Sequence, residues 1–319
     1  MDLYDAASYH ALALQAAGKS PRTVALYLTY ERRFLDFLET RKLAATFAAL
    51  TPVNVRQAIL WQQRSGRGKR GGAVAVKMFA VTMKAWASFL TTEGVLGGNP
   101  LLRLPVPAVL EIERQPYTRT EVLAFLEAAK QSRTAGRDRL LIHLLLDTGA
   151  RIGELTGLEI NRLQLDAAHR RLTVIGKGNR QRTIPFGDPT VPDGGETVRL
   201  LRGYLRERDA FFDRYPARIT ARLFLTIQGF ALSVNGAEDV IRRLGWSAGI
   251  QDAVPHRFRH TFATVYLTQY PGDESGLRAI LGHVSNEVMR HYLHLSAGTI
   301  AQRSGRVSPS QNWLRAGGR

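Results

Sequence analysis

Four stretches carry side chains able to act on an anion. The first is Thr148-Gly149-Ala150-Arg151-Ile152-Gly153-Glu154-Leu155, which sets an arginine beyond a glycine-marked turn after the very apolar run Leu140–Leu146. A guanidinium there is costly to order unless it holds an anion. Glu154 lies three residues on, on the same helical face, and can steady Arg151; a plain structural ion pair reads equally well. The second is Pro255-His256-Arg257-Phe258-Arg259-His260, where His256, Arg259 and His260 fall at i, i+3 and i+4. Three such cations on one face repel unless an anion sits among them. Phe258, Phe262 and Val265 are expected to bury the opposite side. Zinc does not fit the H-x-x-x-H spacing, because the glutamate of H-E-x-x-H is missing and Arg259 would oppose a cation, so no metal is expected.

The third stretch is the turn Gly176-Lys177-Gly178-Asn179-Arg180. Lys177 is either solvated or reaches into a groove to give a proton to a leaving oxygen. The fourth is Leu281-Gly282-His283, with Tyr292 nine residues after the histidine and flanked by His291 and His294. A phenol with a pKa near 10 is a weak nucleophile at neutral pH unless cations help it lose its proton. Tyr266, two helical turns beyond Arg259, is a rival on spacing alone.

The chain that must position these groups has 319 residues, enough for two domains. Its 44 Lys and Arg against 27 acidic residues give a net charge of +17, denser in the first third, and point to an extended anionic partner. The lack of cysteine excludes disulfides, thiolate catalysis and thiolate-bound zinc. The N-terminus is acidic and has no signal-peptide pattern, and the apolar run at 140–146 is interrupted by His143 and closed by Asp147. A cytoplasmic protein, with no membrane span, is expected.

The first domain reads as an all-helical bundle over 1–106. Helices are expected over 7–16, from the Ser20-Pro21 start to about 42, from Thr51-Pro52 to about 63, and over 73–94 with Met78, Val81, Ala85 and Phe89 as its apolar stripe. The loop 64–72 is basic and loosened by glycine; it does not match G-x-x-x-x-G-K-[ST]. Arg64, Arg67, Lys69 and Arg70 in it, Lys77 and Lys84 on one face of the next helix, and Arg180 are the candidates for contacts to a phosphate backbone. Glycines and prolines from Gly97 to Pro116 make a stiff connection, with 107–116 as the linker proper. A second domain, 117–300, opens on the capping box Thr118-Arg-Thr-Glu121 and helix 119–131, followed by helix 138–147. Strands over 171–175 and 181–186 form a hairpin around Lys177, with Pro185 marking an edge. Helices are then expected near 196–213, 233–244, 255–269, 275–282 and 285–293, and 301–319 is a polar tail broken by Trp313-Leu314. The class is therefore mainly α with a small β-sheet in the second domain.

This order of motifs resembles the tyrosine recombinase, or phage integrase, family, which includes the Cre and Xer recombinases. Arg151 and Glu154 match the first family arginine and its acidic companion, and Lys177 the hairpin lysine. His256 and Arg259 match the H-x-x-R box, with His260 following; Phe258 stands where leucine is frequent. His283 matches the third-box histidine and Tyr292 the nucleophile, which favours Tyr292 over Tyr266. Ser20, Thr23, Tyr27 and Phe34 resemble the helical core-binding domain, and a chain of the Cre and Xer size class, with no arm-binding domain before residue 1, is expected. The resemblance implies site-specific cutting and rejoining of duplex DNA through a 3′-phosphotyrosine, without metal, ATP or other cofactor. It also implies a monomer in solution, a homo- or hetero-tetramer holding two core sites, and the 301–319 tail docked on a neighbouring protomer. Rivals are relaxation of the type IB topoisomerase kind and a DNA-binding protein that has lost catalysis.

Overall fold

The computed structural model describes residues 1–64, 72–109, 115–166, 170–176, 180–187, 190, 193–215 and 220–282. The chain divides into two compact units, Met1–Ile112 and Glu113–Arg319.

Among the described residues four α-helices build the first unit: α1 (Leu3–Ala16), α2 (Pro21–Thr40), α3 (Pro52–Arg64) and α4 (Ala73–Thr92). α1 begins earlier than the apolar pattern suggests, because Asp2 and Asp5 form a capping box at its start. Ser20 caps α2 through the Thr23 N–H, with Pro21 in the first turn. The Thr51 hydroxyl accepts from the Asn54 N–H at the start of α3. The core packs Phe34, Phe37, Leu38, Phe79, Met83, Trp86 and Leu90.

α4 departs from expectation twice. Its fully buried stripe is Val76, Phe79, Ala80, Met83, Trp86, Ala87 and Leu90, while Met78, Val81, Ala85 and Phe89 are only half-buried. The helix is apolar almost all round, so periodicity does not choose a face; burying Trp86 and Phe79 does. For the same reason α4 is long and apolar enough to cross a membrane by length and composition, which the sequence reading did not anticipate. Much of that apolar surface is instead packed into the core. The glycine- and proline-rich stretch after it is less of a free linker than it reads: Leu101 and Leu104 are buried in the first core.

The second unit is organised around α6 (Ala135–Thr148), whose Leu140, Leu141, Ile142, Leu144 and Leu145 are all buried. Truncating one such leucine to alanine costs roughly 2–5 kcal/mol. α5 (Arg119–Lys130) packs on α6, with Thr118 and Glu121 forming its capping box. α7 (Ile152–Thr156) follows, then an antiparallel sheet in the order β1 (Leu163–Leu165), β2 (Arg170–Ile175), β3 (Gln181–Pro185). Val174 pairs with Arg182 and Ile175 with Gln181, and Pro185 ends the edge strand β3. The three-residue β1 has no strand signal in the sequence. α8 (Gly195–Arg214), α9 (Val234–Ser247), α10 (Pro255–Gln269) and α11 (Glu274–Leu281) complete the described residues. The helix expected over 285–293 and the tail lie outside them.

Candidate active site

The turn after α6 fixes Arg151. Gly149 ends the helix in the left-handed region at φ 58°, and a Cβ there would come within 2.6 Å of Leu281 Cδ2 and 2.7 Å of Phe262 Cδ1. Only glycine allows both the turn and the close approach of α10 and α11. Arg151 is then the N-cap of α7. Its N–H donates to Glu154 Oε2 at 2.7 Å, and its Nη1 lies 3.1 Å from Glu154 Oε1. The carboxylate is buried while the Arg151 side chain stays 43 % exposed, so the guanidinium is steadied on one side and presented on the other.

Arg182, which sequence reasoning missed, completes this arrangement from β3. Its Nη1 and Nη2 donate to Glu154 Oε1 and Oε2 at 2.7 and 2.8 Å, and its Nε donates to the Ile280 carbonyl at 2.7 Å. Burial alone pushes the Glu154 carboxyl up; the hydrogen bonds and charges of Arg182 and Arg151 outweigh it and hold the group below its ordinary value. In the sequence Arg182 is one more cation on an exposed-looking edge strand.

α10 supplies the second cluster. Pro255 starts the helix, His256 is exposed in its first turn, and Arg259 and His260 are buried. Arg259 donates from Nη1 to the Gly149 carbonyl at 2.8 Å and from Nη2 to the Leu281 carbonyl at 2.9 Å. Phe258 packs in the core against Tyr117 and Phe125. Val265 does not share that burial: it is half-exposed, because the apolar side of α10 turns toward Ala263 and Leu267 instead.

The neighbouring Arg257 has a different task. It donates to the Gln115 carbonyl and to Glu121 Oε1, and its guanidinium lies 4.0 Å from the centre of the Tyr117 ring. It ties α10 to the entry of the unit and to the start of α5. Desolvation opposes ionisation of Glu121, yet its bonds from Thr118 and Arg257 hold its carboxyl below the ordinary value.

Arg151, His256 and Arg259 line one cleft of ≈ 380 Å³, together with Val254 and two residues of α9 not foreseen from sequence, Glu238 and Arg242. The cleft meets the first turn of α10, where the helix dipole favours negative charge. Three arginines and a histidine at a helix start, against the one carboxylate of Glu238, make a receptor for a phosphate-sized anion.

Tyr266 is committed elsewhere. Its hydroxyl donates to Asp273 Oδ2 at 2.6 Å, and that bond to an anionic partner pushes its pKa up to about 12. A phenol so held is a poor nucleophile.

Of the other sequence candidates, Lys84 donates from Nζ to the Leu104 carbonyl at 3.0 Å, tethering the end of the first unit. Lys77 is half-buried on the same helix, and Arg180 is exposed, its carbonyl accepting the Gly176 N–H that closes the hairpin. Lys177, His283 and Tyr292 lie outside the described residues, as do Arg67, Lys69, Arg70 and the side chain of Arg64.

Residues 117–298 match the model of the phage integrase family. Tyrosine recombinase XerC of Mycobacterium leprae (strain TN) is 31 % identical over 300 residues, covering 91 % of this chain and 93 % of the relative. Tyrosine recombinase XerC of Mycobacterium bovis (strain BCG / Pasteur 1173P2) is 30 % identical, covering 93 % and 96 %. In fold, the chain is similar to lambda integrase bound to DNA, with TM-score 0.67, 19 % identity and 92 % and 95 % of the two chains covered. It is also similar to XerH bound to a palindromic difH substrate, with TM-score 0.65, 19 % identity and 91 % and 81 % covered. The chain belongs to the phage integrase family of tyrosine recombinases.

Proposed function

We propose that this recombinase cuts and rejoins duplex DNA at a specific core site, with Tyr292 as nucleophile. The observation that carries the reading is the single cleft shared by Arg151, His256 and Arg259. The net charge of +17 supports a nucleic-acid partner.

In this reading a backbone phosphate sits in the cleft. Arg151 and Arg259 hold its non-bridging oxygens as charge builds in the transition state. The Tyr292 oxygen attacks phosphorus, a phosphorus–oxygen bond forms, and the bond to the 5′ oxygen breaks. His256 takes part in proton transfer at the tyrosine, His283 hydrogen-bonds the phosphate, and Lys177 gives a proton to the departing 5′ oxygen. The 3′-phosphotyrosine keeps the energy of the broken diester, so a free 5′-hydroxyl reseals the strand without ATP. Glu154 and His260 support the arginines.

Lambda integrase has been seen as a tetramer bound to a Holliday junction. By likeness, four copies of this chain, or two with two of a partner recombinase, hold two duplexes, and the 301–319 tail docks on a neighbour. The chain acts in the cytoplasm, on DNA. The two domains run over 1–106 and 117–300, joined by the 107–116 linker.

The test is strand exchange. Two plasmids carrying the recognised site, incubated with the protein, should yield recombinant joints that pass through a four-way junction. Relaxation of supercoils with no joints would instead favour topoisomerase-like action, and binding without cutting would favour a regulator.

A further inference from the structure

We infer that Arg182 is a positioning residue for the nucleophile: it fixes the direction in which the chain leaves α11 toward His283 and Tyr292. The inference rests on the reading of Tyr292 as nucleophile given above.

The last carbonyls of a helix have no partner within it. At the end of α11 two of them are taken by guanidinium groups from other elements. Ile280 accepts from Arg182 Nε at 2.7 Å, and Leu281 accepts from Arg259 Nη2 at 2.9 Å. Cations at this end also complement the helix dipole. The next residue, Gly282, turns with φ 76°, and a Cβ on it would meet Arg182 Cδ and Nη1 at 3.4 Å. Arg182 therefore lies directly against the point where the chain leaves the helix.

The clamp has a rigid base. Both Arg182 terminal nitrogens are used on Glu154, which also receives the Arg151 N–H. The side chain of Arg182 is 13 % exposed and that of Glu154 5 %, so water competes little for these bonds. One planar fork thus joins β3, the Arg151 turn and the exit from α11. Lysine has one donor centre and cannot serve the carboxylate pair and the carbonyl together. Arg259 grips the adjoining carbonyl while lining the cleft, so the exit is registered against the phosphate site itself. A misplacement near 1 Å at reacting atoms costs about a hundredfold in rate.

The experiment is single-turnover cleavage of a nicked core site, with covalent adduct followed on denaturing gels. Two variants are used: R182K, and R182Q combined with E154Q, which leaves no buried carboxylate unpaired. Each is run on the natural phosphodiester and on a 5′-bridging phosphorothiolate, whose sulfur departs without needing a proton. The expected result is wild-type DNA affinity and full adduct amplitude with a rate about a hundredfold lower, unrestored by sulfur, whereas K177A is restored. Wild-type rates in both variants would overturn the inference. So would restoration by sulfur, which would place the effect on the Lys177 hairpin, or a lower amplitude at unchanged rate, which would mark only a lost folded fraction. If wild type itself forms no adduct, the assignment of Tyr292 fails, and the inference with it.

Discussion

Arg259 donates from Nη1 to the carbonyl of Gly149, 2.8 Å away. The second arginine of the cleft is thereby fixed to the turn that delivers the first. Neither can shift without the other, and both carry one charge into the same space.

Replacing either arginine should separate binding from chemistry. Arg151→Ala and Arg259→Ala are expected to bind DNA, since many other cations remain, and to cut about a hundred- to a thousandfold more slowly. Gel shift and single-turnover cleavage check both halves. Normal cutting by either variant contradicts the account.

Gly149→Ala should damage the fold and the site at once. The new methyl group meets Leu281 and Phe262 side chains and sits on a backbone with φ 58°. Overpacking of this kind costs roughly 1–3 kcal/mol, read as a lower denaturation midpoint. A variant as stable as wild type would show that α10 and α11 do not press on the turn.

The turn and its neighbours also show what sequence can and cannot reveal. Gly149, Arg151 and Glu154 are legible because a helix stop, a cap and an i, i+3 pair are local events. The hairpin around Lys177 is legible from two strand runs and a glycine turn. Arg182 and Arg257 are not, because a buried arginine and a solvated one look alike until the partner elements are placed beside them. The buried face of α4 is hidden for the opposite reason: too many of its residues are apolar. Val265 follows an apolar spacing but faces outward: α10 is buried from Arg257 to Thr261, and beyond that the buried positions are Ala263 and Leu267.

Glu154 should make stability depend on pH in a defined window. Its carboxyl is held below the ordinary 4.5, so its contribution is fully present above that value and is lost as pH falls through the lower folded one. Glu154→Gln is expected to be less stable than wild type at neutral pH by roughly 1.5–3 kcal/mol, the scale of hydrogen bonds to a charged group. That gap should close on acidification below pH 4.5. Urea unfolding of both proteins across this range tests it; a gap that stays constant would mean that the carboxylate charge is not what the arginines hold.

Tyr266→Phe should spare the reaction. The variant loses one bond to Asp273, worth roughly 1.5–3 kcal/mol at most, and keeps its ring against Phe262. Adduct formation with the core site should match wild type. A variant that folds and yet forms no adduct would return Tyr266 to the chemistry.

The most direct measurement is covalent capture. Wild type and Tyr292→Phe are incubated with nicked fragments of the source genome, denatured in detergent, and the DNA that stays attached to protein is sequenced. The account predicts attached DNA at a defined core site with wild type and none with Tyr292→Phe. Equal capture by both proteins would contradict it.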